Sequence, residues 1–278
     1  MWRNLRPKLG IGSIINKGNQ DINNQYVSGS GVGAMPTSVR RALKRRASKT
    51  CCDRKAVVLV APVESVGSIT FNGVDQYVSA PNARVATWLP GTGDFTIEWF
   101  MKKGGDSAFP RVFALGYDTN ATVGCSIEGG TCYIWPYGYG LNAPTPVGYE
   151  SGADWTHVAV CRSSGLTQLF MDGVSMASVA DPSDLTDAVN PGFDLNIGVD
   201  DPSADFPNWW SGTLTNFRWT NSALYVSAFT VPSAPLTVLP ATKLLLLGGT
   251  LSNPVYDSTT ENVLVNHGAV WNAATPFA

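Results

Sequence analysis

Residues 154–177, DWTHVAVCRSSGLTQLFMDGVSMA, decide the fold class because apolar side chains recur there at every second position. Val158 and Val160 share one face of the first run, and a second alternating run follows the Ser-Ser-Gly step at Gly165. The Asp-Gly step at Gly173 ends that run, at a place where a hairpin turn needs the positive φ that glycine tolerates. The stretch therefore predicts three short strands joined by two tight turns.

The same alternation appears on both sides of this stretch. It recurs at 68–73, 94–101, 194–198 and 214–219, and Gly, Pro, Asn or Asp bounds each run. These residues are the usual boundaries of short strands. From residue 68 onward, no long segment has the period of an amphipathic helix. Many short strands without helices between them predict antiparallel pairing in a sandwich, a jelly roll or a barrel.

Six segments follow one another in a recognisable order. They are 68–78 (SITFNGVDQYV), 93–100 (GDFTIEWF), 154–162 (DWTHVAVCR), 169–173 (LFMDG), 195–198 (LNIG) and 210–218 (WSGTLTNFR). In this order they resemble the successive strands of laminin-G-like and concanavalin A-like jelly-roll domains. The resemblance implies an all-β, antiparallel, two-sheet jelly-roll sandwich.

The sequence after these segments resembles a narrower group. Residues 223–237 (ALYVSAFTVPSAPLT) are similar to a tail found in such domains of phage and large DNA-virus structural proteins, and 243–247 (KLLLL) resembles a last core strand. Residues 255–258 (VYDS) resemble the element after it, and 39–46 (VRRALKRR) is similar to the N-termini of algal-virus-type virion proteins. The resemblance implies a virion location and a role as a minor capsid or surface protein.

Charge divides the chain into two parts. Residues 1–56 carry 12 Lys and Arg against 2 Asp and Glu, whereas the remainder carries 7 basic and 19 acidic residues. The Gly-, Ser- and Asn-rich segments of the first part cannot bury enough apolar area to offset their chain entropy. We therefore expect residues 1–64 to form an extended, basic N-terminal arm. Residues 65–278 are expected to form the jelly-roll domain with its C-terminal closing strands.

One part of the arm has the period of a helix. Val39, Leu43 and Ala47 recur at every fourth position, which predicts a short helix at 37–47. Its cations predict contact with an anionic partner. We favour other capsid or virion proteins as this partner, and nucleic acid or a membrane face is the alternative. The arm residues expected to make these contacts are Arg40, Arg41, Lys44, Arg45 and Arg46.

Composition disfavours several classes of protein. Charged residues make up 14% of the chain, against roughly 25% in an average domain. No apolar run approaches the ~20 residues of a membrane-spanning helix. The sequence has no Cys-x-x-Cys pair and 2 His, which argues against a zinc site. Cys125 and Cys132 either close a hairpin as a disulfide or lie buried as small apolar residues, and we favour the second.

Glycoside hydrolases also occur among concanavalin A-like jelly rolls, so paired carboxylates matter. Such hydrolysis needs two carboxyl groups about 5 to 9.5 Å apart, and on one strand they would stand at i and i+2 or i+4. Glu98 stands alone on its strand, and neither Glu128 nor Glu150 has a partner at that spacing. We therefore predict no catalytic residues and no enzymatic activity. His157 lacks a nucleophile motif and is interpreted as a structural residue that holds neighbouring backbone.

One acidic loop and two aromatic-rich loops carry candidate binding residues. Asp200, Asp201 and Asp205 follow a predicted strand, and clustered carboxylates of this kind are suited to calcium. We expect no cofactor and keep calcium as the candidate exception, with solvated loop acids as the alternative. Aromatic side chains either stack on sugar rings or close the core or a subunit interface. The candidate carbohydrate-binding residues are Trp135, Tyr137, Tyr139, Trp209 and Trp210.

These observations favour a non-enzymatic virion structural protein. Its jelly roll would serve protein–protein assembly, and its basic arm would anchor it. The alternative is a carbohydrate-binding or adhesion module that contacts host glycans, and a glycoside hydrolase ranks third.

Overall fold

The computed structural model describes residues 67–277, apart from residue 88 and residues 106–108, 117–121, 136–137 and 187–191. The predicted arm, its helix at 37–47 and the boundary after residue 64 lie outside the described residues. Within these residues the chain forms two antiparallel sheets and two short helices. The all-β sandwich of two sheets that the sequence predicts is therefore confirmed.

The strands and helices follow one another along the chain with short connections. They are β1 (Ser68–Asn72), β2 (Tyr77–Ala80), α1 (Asn82–Val85), β3 (Phe95–Lys103), β4 (Arg111–Leu115), β5 (Val123–Glu128), β6 (Thr131–Trp135), β7 (Gly138–Pro144), α2 (Val147–Glu150), β8 (Thr156–Ser163), β9 (Leu166–Met171), β10 (Val174–Ala180), β11 (Leu195–Ile197), β12 (Ser211–Thr220), β13 (Thr242–Leu246), β14 (Val265–His267) and β15 (Val270–Asn272). The three strands predicted from residues 154–177 are β8, β9 and β10.

The strand order shows how the two sheets are built. The eight-stranded sheet runs β10-β9-β8-β3-β12-β1-β15, and β13 pairs with the same edge of β12 as β1. The seven-stranded sheet runs β14-β2-β11-β4-β5-β6-β7. The last strands therefore complete both sheets, because β15 pairs with β1 and β14 pairs with β2.

The main core lies between the sheets, and β3 shows how the sequence fills it. Phe95, Ile97, Trp99 and Met101 alternate along β3 and are fully buried in one apolar cluster. Trp99 packs edge-on against Phe113 of the other sheet, with ring centroids 5.1 Å apart. Burying each such side chain contributes roughly 1.5–3 kcal/mol. This alternation fixes which face of β3 meets the seven-stranded sheet.

A β-bulge in β12 changes which of its side chains meet the core. Thr215 pairs with Phe100 and Arg218 pairs with Glu98, so β12 advances by three residues where β3 advances by two. The extra residue is Asn216, whose φ of 56° lies in the left-handed region that asparagine tolerates better than most residues. Leu214 and Phe217 consequently both reach the core. The strand predicted here is confirmed, but its strict alternation is wrong at the bulge.

We name the segment between β12 and β13, residues 221–241, the strap. It crosses the face of the eight-stranded sheet that points away from the main core. The main-chain N–H of Leu224 donates to Thr96 Oγ1 at 2.9 Å, and that of Phe229 donates to the Gly173 carbonyl at 2.9 Å. The rings of Tyr225 and Phe229 stack with centroids 3.7 Å apart and cover a second, smaller apolar cluster. The segment that resembles a viral tail is thus a covering layer of the domain.

The connection after β13 is held by one buried carboxylate. Asp257 Oδ1 accepts a hydrogen bond from the main-chain N–H of Leu245 at 3.0 Å, and Oδ2 accepts one from Asn262 at 3.1 Å. The element expected at 255–258 is therefore a turn organised by the Asp257 side chain. A single antiparallel β-bridge joins Asp257 to Leu246.

Candidate functional site

Glu98, which stands alone among acidic residues on β3, lies on the outer face of the eight-stranded sheet beneath the strap. It is fully buried, and its Oε1 accepts hydrogen bonds from Arg218 Nε at 2.9 Å and Nη2 at 2.5 Å. Its Oε2 accepts one from the Tyr225 hydroxyl at 2.8 Å and lies 3.2 Å from His157 Nε2. Both carboxylate oxygens are therefore engaged in contacts that hold the sheet and the strap together.

The electrostatics of Glu98 are the reverse of what a general acid requires. Burial alone would raise the pKa of Glu98, but the hydrogen bond with His157 and the charge of Arg218 outweigh burial and lower this pKa. A glycosidase acid needs a raised pKa so that it holds its proton. Burial and the nearby Glu98 charge raise the pKa of Tyr225, which keeps this phenol a hydrogen-bond donor.

His157 makes structural contacts, as the sequence predicts. However, its side chain faces the carboxylate of Glu98, whereas the sequence analysis expected it to hold neighbouring backbone. Its ring lies 4.6 Å from that of Phe100 and 5.7 Å, edge-on, from that of Phe229. Its main-chain N–H donates to the Asp172 carboxylate at 2.9 Å. The histidine thus joins β8 to β3 and to the strap.

The three candidate calcium ligands have separate surroundings. Asp200 is fully buried, and its carboxylate accepts hydrogen bonds from the main-chain N–H of Asp201 at 2.8 Å and from Asn208 Nδ2 at 2.6 Å. Asp201 itself accepts the Ser203 hydroxyl at 2.6 Å, and Asp205 is exposed. Among the described residues, no group of three or more His, Cys, Asp or Glu side chains is arranged to hold a metal ion. Calcium binding by this loop stays a prediction.

The candidate sugar-binding aromatics are divided between the core and the surface. Trp135 ends β6 and is buried, and its Nε1 donates to Ser126 Oγ at 3.2 Å. Trp210 is 1% exposed, whereas Trp209 is half-buried. Neither Trp135 nor Trp210 therefore presents an open ring face on an exposed loop. Tyr137 and the side chain of Tyr139 lie outside what the structure describes, as do the five cations of the arm.

Trp209 lies beside two residues that the sequence did not single out, Tyr77 and His267. The Tyr77 and His267 rings stack with centroids 3.9 Å apart, and the Trp209 ring lies 5.9 Å from Tyr77. Tyr77 and His267 lie far apart in the sequence. They meet because β2 pairs with β14, where the two residues are opposite each other. Burial and the charges of Asp194 and Asp201 raise the pKa of Tyr77.

A cavity of about 340 Å³ opens at one end of the sandwich. It lies where β3 ends, where β4 and β12 begin, and where the β5–β6 turn approaches α2. Its lining combines aromatic, charged and glycine residues: Lys103, Gly105, Pro110, Ile127, Gly129, Gly130, Tyr149, Glu150, Trp210 and Ser211.

Trp210 and Tyr149 form the aromatic wall of this cavity. Trp210 Nε1 donates to the Tyr149 hydroxyl oxygen at 3.4 Å. Burial raises the pKa of Tyr149, so its phenol keeps a proton to donate. The indole lies against Gly212, where a Cβ atom would stand 2.3 Å from the ring. This Trp-x-Gly spacing is the sequence signal that Trp210 packs inward.

The polar wall of the cavity consists of an ion pair and a hydroxyl group. Lys103 Nζ lies 3.1 Å from Glu150 Oε2, and the two side chains are 21% and 35% exposed. The Thr145 hydroxyl donates to the other oxygen of Glu150. Ser211 Oγ accepts the main-chain N–H of Gly105 at 2.8 Å. The cavity therefore offers hydrogen-bond donors and acceptors at its surface, and the two aromatic rings lie buried behind them.

Cys125 and Cys132 lie on the neighbouring strands β5 and β6. Both are fully buried free thiols, and their Sγ atoms are 3.5 Å apart. Burial raises the pKa of Cys125 well above its ordinary value. The prediction that these residues lie buried is confirmed.

None of the helices in the described part of the chain has the length and hydrophobicity that crossing a membrane requires.

Comparison with solved structures gives the same architecture. A proposed carbohydrate-binding protein from Bacteroides ovatus superposes with a TM-score of 0.54 at 16% identity, over 78% of this chain and 62% of its own. The chain thus spans less than two thirds of that protein. A heptameric SAP-like pentraxin from Limulus polyphemus gives a TM-score of 0.51 at 14% identity, over 77% of this chain and 98% of its own. No curated protein matches the sequence.

The sequence itself places the domain in a family. A laminin-G model of the concanavalin A-like lectin/glucanases superfamily matches residues 72–228, which is more than half of the chain. That match begins at the end of β1 and runs into the strap, so it contains β2 to β12. The chain therefore belongs to the concanavalin A-like lectin/glucanases superfamily.

Proposed function

We propose that the chain is a non-catalytic carbohydrate-binding module whose ligand enters the cavity beside Trp210. The observation that carries this proposal is the composition of the cavity walls. An indole and a phenol stand next to the ion pair of Lys103 and Glu150. The hydroxyl groups of a sugar exchange hydrogen bonds with charged groups such as this pair, while the buried indole and phenol back the cavity wall without an exposed ring face.

The size of the cavity suits a small ligand. About 340 Å³ lies at the lower end of the range of ligand pockets. We therefore expect one sugar residue, such as the end of a glycan chain, to enter, while the rest of the chain remains outside. The β5–β6 turn borders open space at this end, because a Cβ at Gly129 would meet nothing within 4 Å.

The absence of catalysis is proposed on the contacts of the carboxylates. Glu98 is held by Arg218, His157 and Tyr225 on the opposite face of the eight-stranded sheet from the main core. Glu150, in the cavity, is paired with Lys103. A glycosidase pair needs one carboxyl group that keeps its proton and a second across the bond. Glu150 instead has the Lys103 ammonium as its partner, at 3.1 Å.

Glycan binding by the full-length protein tests this proposal. A glycan array followed by isothermal titration calorimetry of the hits should give binding that Lys103→Ala weakens by roughly tenfold. Lys243→Ala is the matched control, because Lys243 lies on β13 and does not line the cavity. Binding to no glycan, or equal loss in both variants, would remove the cavity as the site.

The second candidate function is assembly as a virion structural protein, which the charge distribution favours. The 12 cations and 2 acids of residues 1–56 precede a part with 7 cations and 19 acids. Three of those 7 cations, Arg111, Arg162 and Arg218, are buried in ion pairs with acids. A basic arm on an acidic domain suits assembly through an anionic neighbour, and the resemblance of residues 223–237 to viral jelly rolls agrees with a virion location.

Co-sedimentation tests the assembly role. Full-length protein should sediment with assembled particles, and replacing the five arm cations by Gln should abolish this at physiological salt while leaving glycan binding intact. The replaced residues are Arg40, Arg41, Lys44, Arg45 and Arg46. Unchanged sedimentation of the variant would exclude an anchoring role for these cations.

A further inference from the structure

We infer that the cavity selects uncharged sugars, and that Glu150 sets this selectivity by neutralising Lys103. The inference rests on the proposed function, because it names the class of sugar that the same cavity accepts. Its basis is the pairing of charges on the cavity wall. Among the described residues that line the cavity, Lys103 and Glu150 are the charged ones.

The two charged groups are held in place by separate elements. Lys103 is the last residue of β3, and Glu150 is the last residue of α2. The Glu150 carboxylate receives the Lys103 ammonium on Oε2 at 3.1 Å and the Thr145 hydroxyl on Oε1. Because each oxygen has its own partner, the carboxylate cannot turn away from the lysine without losing one of them. The pair therefore acts on a ligand as a fixed dipole with no net charge.

A fixed neutral pair discriminates between sugars by their charge. A uronate that approaches Lys103 also approaches Glu150, so attraction and repulsion largely cancel at the distance of the ligand. The uronate still loses hydration when it enters the cavity, and this cost is left without compensation. The cationic group of an amino sugar is attracted by Glu150 and repelled by Lys103, so these two interactions also largely cancel. A neutral hydroxyl group avoids this cost, because it can accept from the ammonium and donate to the carboxylate at once.

One arginine at this end of the sandwich is paired with two acids. Arg111, the first residue of β4, lies 2.9 Å from Glu128, which precedes the glycine turn that borders the cavity. Arg111 Nε also lies 3.9 Å from Asp200 Oδ2. Its guanidinium is therefore engaged with a carboxylate, and it does not supply an uncompensated positive charge to a ligand.

Glu150→Gln in the full-length protein tests the inference. The glutamine keeps the size of the side chain and one oxygen that can accept from Lys103, and its amide nitrogen can donate to Thr145 Oγ1, but it removes the negative charge. Calorimetry with the methyl glycosides of glucose, galactose and mannose, and with the corresponding uronates, gives the selectivity directly. The wild-type protein should bind at least one neutral glycoside and its uronate roughly tenfold more weakly. In the Glu150→Gln variant, the affinity for that uronate relative to its neutral glycoside should rise roughly tenfold, so that the preference of the wild type is lost.

Two further variants separate local from general charge effects. Asp154→Asn removes the same charge from an exposed residue that does not line the cavity, and it should leave the selectivity of the wild type unchanged. The double variant Lys103→Met with Glu150→Gln should not gain uronate binding, because the cation is gone. Wild-type protein that binds a sugar and its uronate equally, or a Glu150→Gln variant without the gain, would overturn the inference while the proposed function stands. Failure of the wild type to bind any of these sugars would overturn both.

Discussion

Arg218 of β12 lies opposite Glu98 of β3 and forms two hydrogen bonds with one of its carboxylate oxygens, at 2.9 and 2.5 Å. The pair exists because Asn216 inserts one extra residue into β12 and turns Arg218 to the face that carries Glu98. Without the bulge, the alternation after Leu214 would carry Phe217 to the outer face and Arg218 into the apolar core. The bulge thus places the charge of Arg218 on the outer face and keeps the rings of Phe217 and Trp219 in the core.

Removing one partner of this ion pair should destabilise the domain strongly. In Arg218→Met the Glu98 charge stays buried without its main partner, which typically costs about 3–5 kcal/mol. Urea unfolding followed by circular dichroism should show this loss, and adding Glu98→Gln to the same protein should restore part of it. A loss below about 1 kcal/mol would contradict a structural role for the pair.

The same carboxylate should make stability depend on pH in acid. The pKa of Glu98 is lower in the folded than in the unfolded chain, so its contribution is complete above its ordinary value of 4.5 and disappears as the pH falls through the folded pKa. Urea midpoints measured between pH 7 and 3 should therefore fall more steeply below pH 4.5 in the wild type than in Glu98→Gln. Parallel curves for the two proteins would show that Glu98 does not contribute.

Two glycines with nearly the same backbone conformation test whether the strap is held against the β9–β10 turn. Gly173 and Gly165 have φ of 77° and 76°, but a Cβ at Gly173 would lie 2.1 Å from the Phe229 carbonyl oxygen, against 3.7 Å from Asp181 at Gly165. Gly165→Ala should cost about 1–2 kcal/mol for its left-handed backbone alone. Gly173→Ala should cost more and should also speed hydrogen exchange of residues 223–231. Equal costs and unchanged exchange would mean that the strap is not held at this point.

The three described cysteines should be unreactive in the folded protein. Cys125, Cys132 and Cys161 are buried, and burial raises the pKa of Cys125 and Cys161, which lowers the fraction of reactive thiolate. Iodoacetamide labelling with peptide mapping should modify these positions in urea but not in native buffer. Rapid native labelling of Cys125 or Cys132 would indicate that β5 and β6 open readily.

The Asp200 loop should be stabilised by its own hydrogen bonds. Asp200→Asn should lower stability by about 1.5–3 kcal/mol, because main-chain N–H groups and Asn208 lose a charged acceptor. Asp205→Asn changes an exposed carboxylate and should stay within about 0.5 kcal/mol. If the loop holds no metal, neither EDTA nor calcium should move the melting temperature. A rise with calcium that Asp200→Asn abolishes would instead assign the ion to this loop.

The sequence predicts the local part of the fold and misses the part that depends on distant pairing. The alternation in residues 154–177 is enough to predict β8, β9 and β10, because each strand pairs with its neighbour in the chain. No local pattern reveals that β15 pairs with β1, some two hundred residues earlier. The bulge at Asn216 was equally hidden, although an asparagine between Thr215 and Phe217 permits it.

The same limit applies to the candidate site. The sequence marks Trp210 as a candidate because it is aromatic. The direction of its side chain depends on its packing against Gly212 and on the position of the end of β3. Lys103 and Glu150 are 47 positions apart, and Tyr77 and His267 are further apart still. Charge and aromatic character mark these residues as candidates, whereas their contacts come from the packing of separate strands.

The strands that close the two sheets also set the smallest piece of this protein that can be handled in isolation. A fragment cut at the limits of the family match would lose most of β1 and all of β13, β14 and β15. It would expose rows of main-chain N–H and C=O groups on β12 and β2, which invite edge-to-edge association with other molecules. Expression designs should therefore keep the chain through Phe277, whose ring packs 5.2 Å from that of Phe100.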